Sequence, residues 1–398
     1  MSKKTTETMI TRAWQRQAAW LWLLLPVSWL YALVIHLRRY AYKVGLFRSY
    51  RAPVAVMVIG NITVGGSGKT PLIIALVTSL QQQGIAVGVI SRGYGGDANK
   101  MPALVTGDSL PSDVGDEPSL IVNTTGVPMA VCPNRQQAIT TLLAAQPHVQ
   151  LIIADDGLQH YALQRDIEWI VVDVARGFGS GQLLPTGFLR EPIARLKEAT
   201  VIYHTKPPQA AAASYASSDS ARLTLSLQPE SVQPLWAESQ IDKDLSQFCN
   251  TRYNPPRNAP YNTVPVHTVP VTGSKVHAVS GIGYPQRFFD TLRGLGFEVI
   301  AHPYPDHYNF TLNELLHYTE HPIIVTSKDA VKIRALFMRQ DKPKPQDTEP
   351  PLIHDWHELA SRLWVLPVTA ELSAACYQTL QQQLVDLGIH YRHLESKC

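Results

Sequence analysis

Residues 63–70, with the sequence TVGGSGKT, have the residue types and the spacing that phosphate binding requires. They follow an apolar run, residues 54–60, and precede a segment with helical character. Glycines allow successive backbone N–H groups to turn toward phosphate oxygens at the positive end of a helix. Lys69 supplies a charge for the β- and γ-phosphates, and the Thr70 hydroxyl is a ligand suited to Mg²⁺. The predicted nucleotide-binding residues are Thr63, Val64, Gly65, Gly66, Ser67, Gly68, Lys69 and Thr70.

The usual pattern of such a phosphate loop (P-loop) is GxxxxGK[ST], and here Thr63 stands in place of the first glycine. The alternative is a glycine-rich turn with an incidental lysine. The position of the segment between a predicted strand and a predicted helix favours the phosphate loop. We therefore expect a nucleotide-hydrolysing or phosphoryl-transferring protein.

Two carboxylates, Asp155 and Asp156, follow the apolar run at residues 149–154. The end of a strand beside a phosphate loop is where enzymes of this type place a carboxylate near Mg²⁺. The alternative is a solvated strand end without a role in chemistry. The sequence thus predicts both aspartates as metal ligands, together with Thr70.

Length and composition limit the classes of protein that can carry this loop. The chain has 398 residues, of which 45% are apolar and 17% charged, with a formal net charge of +3. This excludes a wholly disordered chain and a polytopic membrane protein, and it predicts two or three domains. The near balance of charge gives no indication of a nucleic-acid partner. Four widely spaced cysteines without metal-binding spacing indicate free thiols in a reducing compartment.

The fold predicted around the loop is an α/β fold. Short apolar runs alternate with helical segments between residues 54 and 205, which is typical of a parallel sheet with helices on both faces. This is the P-loop NTPase type of sheet. The periodicity fails in a segment rich in Pro, Ala and Ser and then returns, which predicts a smaller C-terminal α/β lobe. The predicted regions are residues 1–45 (membrane-associated helix), 46–205 (P-loop core), 206–272 (irregular insertion or linker) and 273–398 (C-terminal lobe).

Residues 18–35 form an uncharged apolar stretch with basic residues on both sides. A helix of this length spans ~27 Å, which is marginal for a bilayer core of ~30 Å. No small-residue cleavage site follows, which argues against a signal peptide. Pro26 interrupts the stretch, and its many tryptophans suit a helix lying at the membrane interface. A membrane span and a buried core helix remain as alternatives.

Several further motifs occur in a fixed order along the chain: SRGYGG (91–96), VGDEPSL (114–120), DDGLQH (155–160), LLPTGFLREP (183–192) and TSKDAVK (326–332). With these motifs the sequence resembles the tetraacyldisaccharide 4′-kinase family, the lipid A 4′-kinases of Gram-negative bacteria. The similarity covers residues 14–205 and 275–368.

The resemblance implies transfer of the ATP γ-phosphate, with Mg²⁺, to the 4′-hydroxyl of a tetraacyl glucosamine disaccharide 1-phosphate. It also implies membrane association at the cytoplasmic face of the inner membrane, because the acylated substrate stays in the bilayer. The partners expected are this glycolipid and the membrane, with no nucleic acid and no obligatory protein partner. The alternatives are a membrane-tethered P-loop ATPase that acts on a protein partner, and a soluble kinase of small metabolites.

The resemblance also suggests catalytic roles. Asp116, in the GDEP motif, matches the family's catalytic aspartate and would take the proton of the sugar hydroxyl; alternatively it caps a helix beginning near Pro118. His307 matches its partner, which would bring a group from the second domain into the site; alternatively it is a loop histidine before the capping box at residues 311–314.

Arg190 and Glu191 complete the set of predicted site residues. Arg190 has the charge to stabilise the transferring phosphoryl group, and Glu191 the carboxylate to help hold Mg²⁺. The alternative is an arginine–glutamate surface pair at a helix start. The predicted catalytic residues are therefore Lys69, Asp116, Arg190 and His307. The predicted metal ligands are Thr70, Asp155, Asp156 and Glu191.

Overall fold

The computed structural model describes residues 9–14, 16–205, 222–236, 269–338 and 353–390. The chain divides into two compact units. The first unit comprises Met1–Gln228 and Thr369–Cys398, and the second comprises Pro229–Val368.

The first unit contains, within the described residues, a nine-stranded sheet. Its strands, numbered along the chain, are β1 (Ala55–Gly60), β2 (Val87–Ser91), β3 (Ala103–Val105), β4 (Met129–Val131), β5 (Leu151–Asp155), β6 (Ile167–Asp173), β7 (Thr200–Thr205), β8 (Thr224–Pro229) and β14 (Val368–Leu372). The strand order is β14-β8-β7-β6-β1-β5-β2-β4-β3. Neighbours from β8 to β4 pair in parallel, and β3 pairs with β4 antiparallel.

Both faces of this sheet are buried because its strands are apolar at successive positions. Val56 and Val58 of β1 pack into one cluster, while Met57 and Ile59 pack into another on the opposite face. The α-helices of the first unit include α1 (Leu25–Lys43), α2 (Lys69–Gln82), α3 (Pro111–Val114), α4 (Asp116–Thr125), α5 (Arg135–Ala145) and α10 (Ala374–Asp386). Residues of α2, α4 and α10 cover one face, and residues of α5 cover the other. The predicted parallel sheet with helices on both faces is confirmed.

The second unit contains, in its described part, a five-stranded sheet in the order β11-β10-β12-β13-β9. Its elements are β9 (Gln233–Pro234), β10 (Lys275–Ser280), α6 (Pro285–Gly294), β11 (Glu298–Pro303), α7 (Leu312–Leu316), β12 (Ile323–Thr326), α8 (Ser327–Met338), α9 (Ile353–Arg362) and β13 (Leu363–Leu366). Apolar residues of neighbouring helices again cover both faces of the sheet. The smaller α/β lobe that the sequence predicts is therefore present.

The bounds of the units differ from the predicted regions at two places. The chain returns to the first unit at its end, where β14 neighbours β8 and α10 covers the sheet. Trp169 Nε1 on β6 donates to Gln383 Oε1 on α10 (2.9 Å), and Gln383 Nε2 donates to Thr200 Oγ1 (3.1 Å). Part of the predicted linker also contains strands, since β8 and β9 fall inside it. The rest of that linker, residues 206–221 and 237–268, lies outside the described residues.

The docking of α10 predicts that the end of the chain stabilises the first unit. Leu384 on α10 is fully buried against the sheet, so Leu384→Ala should cost about 2–5 kcal/mol of unfolding free energy. Leu387, just beyond the helix, is exposed, and Leu387→Ala is the matched control with a cost below about 0.5 kcal/mol. Thermal or denaturant unfolding measures both. Equal, small effects of the two substitutions would contradict the docking of α10.

Candidate active site

The loop between β1 and α2 has the backbone of a phosphate-binding turn. The strand ends at Gly60 and the helix begins at Lys69. Gly65 and Gly68 lie in the left-handed region, with φ of +94° and +93°. A Cβ atom on Gly65 would stand 2.9 Å from Arg176 Nη1, so only glycine fits there without a shift. Two of the predicted loop residues are therefore required to be glycine by the fold itself.

Side chains from outside the loop hold three of its carbonyl groups. Arg176 Nη1 donates to the carbonyl oxygen of Val64. Asn61 Nδ2 donates to the carbonyl oxygen of Gly65 (3.2 Å), and His204 Nδ1 donates to that of Ser67 (3.1 Å).

In a planar trans peptide the C=O and the following N–H point in opposite directions. The N–H groups that point away from these donors are those of Gly65, Gly66 and Gly68. Within the described residues, none of these three N–H groups makes a backbone hydrogen bond. Near the N-terminus of α2, the loop thus has three backbone N–H groups that make no backbone hydrogen bond in the described part of the chain, and such groups are able to bind a phosphate.

Asn61 is the centre of the hydrogen bonds around the loop. Its side chain is fully buried directly after β1. Besides binding Gly65, Asn61 Nδ2 donates to Thr63 Oγ1 (3.1 Å), while Asn61 Oδ1 accepts from Lys69 Nζ (3.0 Å). Arg190 Nη2 donates to the Asn61 carbonyl oxygen (3.0 Å). One residue therefore contacts the loop and both of its basic neighbours, through its side chain and its backbone carbonyl.

Three of these residues, Asn61, Arg176 and His204, are functional residues that the sequence does not reveal. Asn61 precedes the glycine pattern by two positions, and an asparagine after a strand is common in turns. Arg176 and His204 lie more than 100 positions from the loop, after β6 and on β7, so that only the order of the strands brings them to it.

The second aspartate of the DDGLQH motif, Asp156, is an ion-pair partner. Arg190 binds it with both nitrogens, Nη1 to Oδ2 at 3.0 Å and Nη2 to Oδ1 at 2.9 Å, and Lys69 Nζ lies 3.5 Å from Oδ1. Burial alone would raise the pKa of Asp156, but Lys69 and Arg190 outweigh it and hold that pKa well below its usual range. Asp156 is thus a permanent anion that fixes two cations beside the loop. The structure brings together three predicted site residues here.

The first aspartate, Asp155, has a different environment. It ends β5 next to Ile59 of β1, and its side chain is buried. Ser91 Oγ donates to Oδ2 (3.2 Å), whereas Oδ1 has no hydrogen-bond partner in the described part of the chain. Burial, followed by the charge of Glu117, raises the pKa of Asp155 to about 7. A buried carboxylate oxygen without a partner costs ~1–3 kcal/mol, which a bound cation would remove.

Glu191 is held by protein groups on both of its oxygens. Gln159 Nε2 donates to Oε1 (3.0 Å), and Arg195 Nε lies 3.3 Å from Oε2. Burial raises the pKa of Glu191, although Arg195 opposes the shift. Among the described residues, no group of three or more His, Cys, Asp or Glu side chains is arranged to hold a metal ion. A cation in this site would therefore depend on phosphate oxygens for part of its coordination.

Asp116 is the first residue of α4 and is only 5% exposed. Gly115, with φ of +99°, occupies the capping position before it, and Asp116 Oδ1 accepts a hydrogen bond from the N–H of Glu117 (3.0 Å). Its negative charge is therefore stabilised by the positive end of the helix. The other predicted catalytic residue, His307, belongs to the second unit, in the loop after β11.

Known proteins with similar sequences share one description. A family model described as tetraacyldisaccharide-1-P 4′-kinase matches residues 20–385. A tetraacyldisaccharide 4′-kinase of Psychrobacter arcticus is 65% identical over 387 residues, covering 96% of each chain. That of Psychrobacter cryohalolentis is 66% identical over 389 residues, covering 96% of this chain and 97% of the relative. That of Methylobacillus flagellatus is 39% identical over 379 residues, covering 95% and 96%.

A solved structure supports the fold. The structure titled as the "apo" form of LpxK from Aquifex aeolicus in complex with ATP aligns with a TM-score of 0.60 at 20% identity. The alignment covers 92% of this chain and 99% of that one. The match of the family model over most of the chain, and relatives of high identity over nearly their whole length, settle the class of protein. This chain belongs to the tetraacyldisaccharide-1-P 4′-kinase family and is a kinase of lipid A biosynthesis.

Proposed function

We propose that the loop at residues 63–70 binds the triphosphate of ATP and that the surrounding charged residues direct the γ-phosphate to the 4′-hydroxyl of the acylated disaccharide 1-phosphate. The observation that carries the proposal is the anchoring of the carbonyls of Val64, Gly65 and Ser67 by side chains, while the N–H groups of the three glycines make no backbone hydrogen bond in the described residues. The solved structure similar in fold was determined with ATP, in keeping with this role.

Lys69 and Arg190 supply the positive charge for phosphoryl transfer. Negative charge spreads over the oxygens of the transferring group in the transition state, so cations held in place beforehand stabilise it most. Asp156 binds both side chains and Asn61 binds both as well. These two residues therefore limit the motion of the cations before nucleotide binds.

The residues suited to Mg²⁺ are Thr70, at the start of α2, and Asp155, whose Oδ1 has no partner in the described part of the chain. When bound, the ion neutralises phosphate charge. Asp156 and Glu191, the other predicted ligands, are engaged by Arg190 and Arg195. They would reach the ion only if those ion pairs rearranged, so Thr70 and Asp155 are the first ligands that we propose.

Asp116 is the proposed base for the sugar hydroxyl. A hydroxyl is a weak nucleophile at neutral pH, and a positioned carboxylate that accepts its proton contributes to the rate. The helix end stabilises the carboxylate form of Asp116, and the side chain is largely shielded from water. His307 is the proposed partner in this proton transfer, and its contribution is testable by kinetics alone.

We propose further that the N-terminal helical segment lies along the membrane interface. The stretch Ala19–Lys43 is long and apolar enough to cross a membrane. Its middle, however, is bonded to polar groups of the first unit. Ser28 Oγ lies 2.8 Å from Thr186 Oγ1 and accepts from the Thr186 N–H (3.1 Å), and Tyr31 OH donates to the Arg190 carbonyl (3.2 Å).

A helix whose middle is hydrogen-bonded to loops of the first unit cannot be surrounded by lipid hydrocarbon at that point. The other face of the segment exposes large apolar side chains: Trp20, Trp22, Leu23, Val27, Trp29, Leu30, Leu33, Val34 and Leu37. Such an asymmetric surface suits burial in the headgroup region. It would keep the kinase at the cytoplasmic face of the inner membrane, where ATP and the acylated substrate meet.

The Lys69→Met substitution tests the phosphate site. It should lower kcat by about 100-fold or more and weaken ATP binding, because one pre-positioned electrostatic group is lost. Kinase assays on a tetraacyl disaccharide 1-phosphate in detergent, with ATP titration, measure both effects. Lys100→Met, which removes an exposed lysine paired with Asp113, is the control and should change neither. Wild-type ATP affinity in Lys69→Met would contradict the proposed loop.

The Asp116→Asn substitution tests the base. The amide oxygen keeps the acceptor for the Glu117 N–H, so the fold should persist, while kcat should fall by about 10²–10⁴-fold. The KM for ATP should stay within about threefold of the wild-type value, because Asp116 is proposed to act in the chemical step and not in nucleotide binding. Asp113→Asn, on the short helix before it, is the matched control. If Asp116→Asn turned over at the wild-type rate, Asp116 would be only a structural residue of the helix start.

The position of the N-terminal segment is testable with single cysteines. Met9→Cys and Phe47→Cys lie before and after it, and both side chains are about half exposed. In a cysteine-free background in sealed inside-out vesicles, a membrane-impermeant thiol reagent should label both from the cytoplasmic side. Labelling of the two cysteines from opposite sides would show a membrane span and refute the interfacial helix.

A further inference from the structure

The TSKDAVK motif at residues 326–332 has no role in the function proposed above. In the structure it forms the end of β12 and the first turns of α8, beside the loop that carries His307. Three of its side chains contact that loop or the neighbouring loop after β10: Lys328, Asp329 and Lys332. The motif therefore contacts the loop that carries His307, a proposed catalytic residue of the same unit.

Asp329 and Lys332 fasten the backbone near His307. Asp329 is fully buried, and its Oδ2 accepts from the Gly281 N–H (3.0 Å) and from Thr326 Oγ1 (2.7 Å). Lys332 Nζ forms an ion pair with Asp329 Oδ1 (2.8 Å) and donates to the Tyr308 carbonyl (3.0 Å). A buried ion pair of this kind is retained only where its remaining hydrogen bonds are satisfied, and here they hold two loops to α8.

His307 itself has an unfavourable backbone conformation. Its φ of +56° lies in the left-handed region, which costs a residue other than glycine about 1 kcal/mol or more. The His307 N–H donates to the Gly281 carbonyl (3.1 Å), so the fastened loop holds the strained residue in place. Such strain persists only where surrounding contacts determine the conformation, and it concentrates at functional sites.

Lys328 contacts the imidazole of His307 directly. Its Nζ lies 3.3 Å from His307 Nε2 and 3.5 Å from Asp306 Oδ1. An ammonium group has only donors, so Nε2 must be the acceptor in this contact. For a neutral ring, this contact requires the proton to be on Nδ1. Lys328 is thus placed where it can determine which nitrogen of His307 carries the proton.

We propose that Lys328 is a positioning residue of the kinase, which holds the His307 ring in one orientation and in the Nδ1-protonated tautomer. This inference rests on the proposed role of His307 in proton transfer. In this proposal Lys328, the first lysine of the KDAVK segment, acts through His307 and does not itself contact the reacting groups. Asp329 and Lys332 support the loop.

The tautomer is measurable without any assay of activity. In full-length protein labelled with ¹⁵N-histidine, long-range ¹H–¹⁵N correlations distinguish a protonated from an unprotonated ring nitrogen, and the spectrum of His307→Gln identifies the His307 signals. Wild-type protein should show Nδ1 protonated and Nε2 unprotonated. Lys328→Met should give a mixture of tautomers, and Lys328→Arg, which keeps a donor, should retain the wild-type pattern. Protonation of Nε2 in the wild type, or no change in Lys328→Met, would overturn the proposal.

Measurements of kcat and of the KM for ATP then test the positioning role of Lys328 separately from the role of His307. Lys328→Met should lower kcat by about 10–100-fold with the KM for ATP nearly unchanged, because a misplaced group costs rate rather than nucleotide binding. Lys328→Arg should recover most of that loss. Lys275→Met, at an exposed lysine on β10 paired with Glu298, is the matched control and should be unaffected.

Two other outcomes have distinct meanings. If the spectrum changes in Lys328→Met and His307→Gln loses activity while Lys328→Met keeps the wild-type kcat, the positioning role is refuted. If His307→Gln itself keeps the wild-type kcat, the proposed role of His307 in proton transfer is refuted. The effect of Lys328 on the ring is then judged from the spectra alone.

Discussion

The anchoring of three carbonyl groups in the loop at residues 63–70 is the constraint on which the rest of the proposed site depends. A glycine-rich loop has many accessible conformations, and only those with adjacent N–H groups on one side bind a phosphate. Asn61, Arg176 and His204 restrict these conformations by binding three of the loop's carbonyl groups. Because these donors come from the end of β1, from the loop after β6 and from β7, the order of the parallel strands determines the geometry of the proposed phosphate site.

The same order of strands explains why two adjacent aspartates differ so strongly. Asp155 is the last residue of β5 and remains inside the sheet, where burial raises its pKa. Asp156 leaves the strand with a φ of +47°, and its carboxylate therefore reaches Lys69 and Arg190. One residue thus organises the cations, and its neighbour retains an oxygen suited to a divalent ion. In the function proposed for this kinase, the division separates the charges assigned to phosphate from the carboxylate assigned to the metal.

Local patterns predict much of this arrangement, and long-range contacts account for the rest. Apolar runs predict the strands of the first sheet, and the GKT sequence predicts the turn into α2, because both signals are complete within a few residues. The motifs also predict that Lys69, Asp156 and Arg190 share a site. Asn61 and His204 have no local signature, since their roles arise from contacts with the loop. The return of α10 to the first unit has no local signal either, because an apolar helix face does not identify the sheet against which it packs.

The most direct test of the central claim is a crystal structure of the full chain with a non-hydrolysable ATP analogue and Mg²⁺. The account predicts phosphate oxygens within hydrogen-bond distance of the N–H groups of Gly66 and Gly68, with the contacts of Asn61 and His204 to the loop unchanged. An analogue bound elsewhere in the chain, or a loop whose carbonyls turn inward when nucleotide binds, would contradict it.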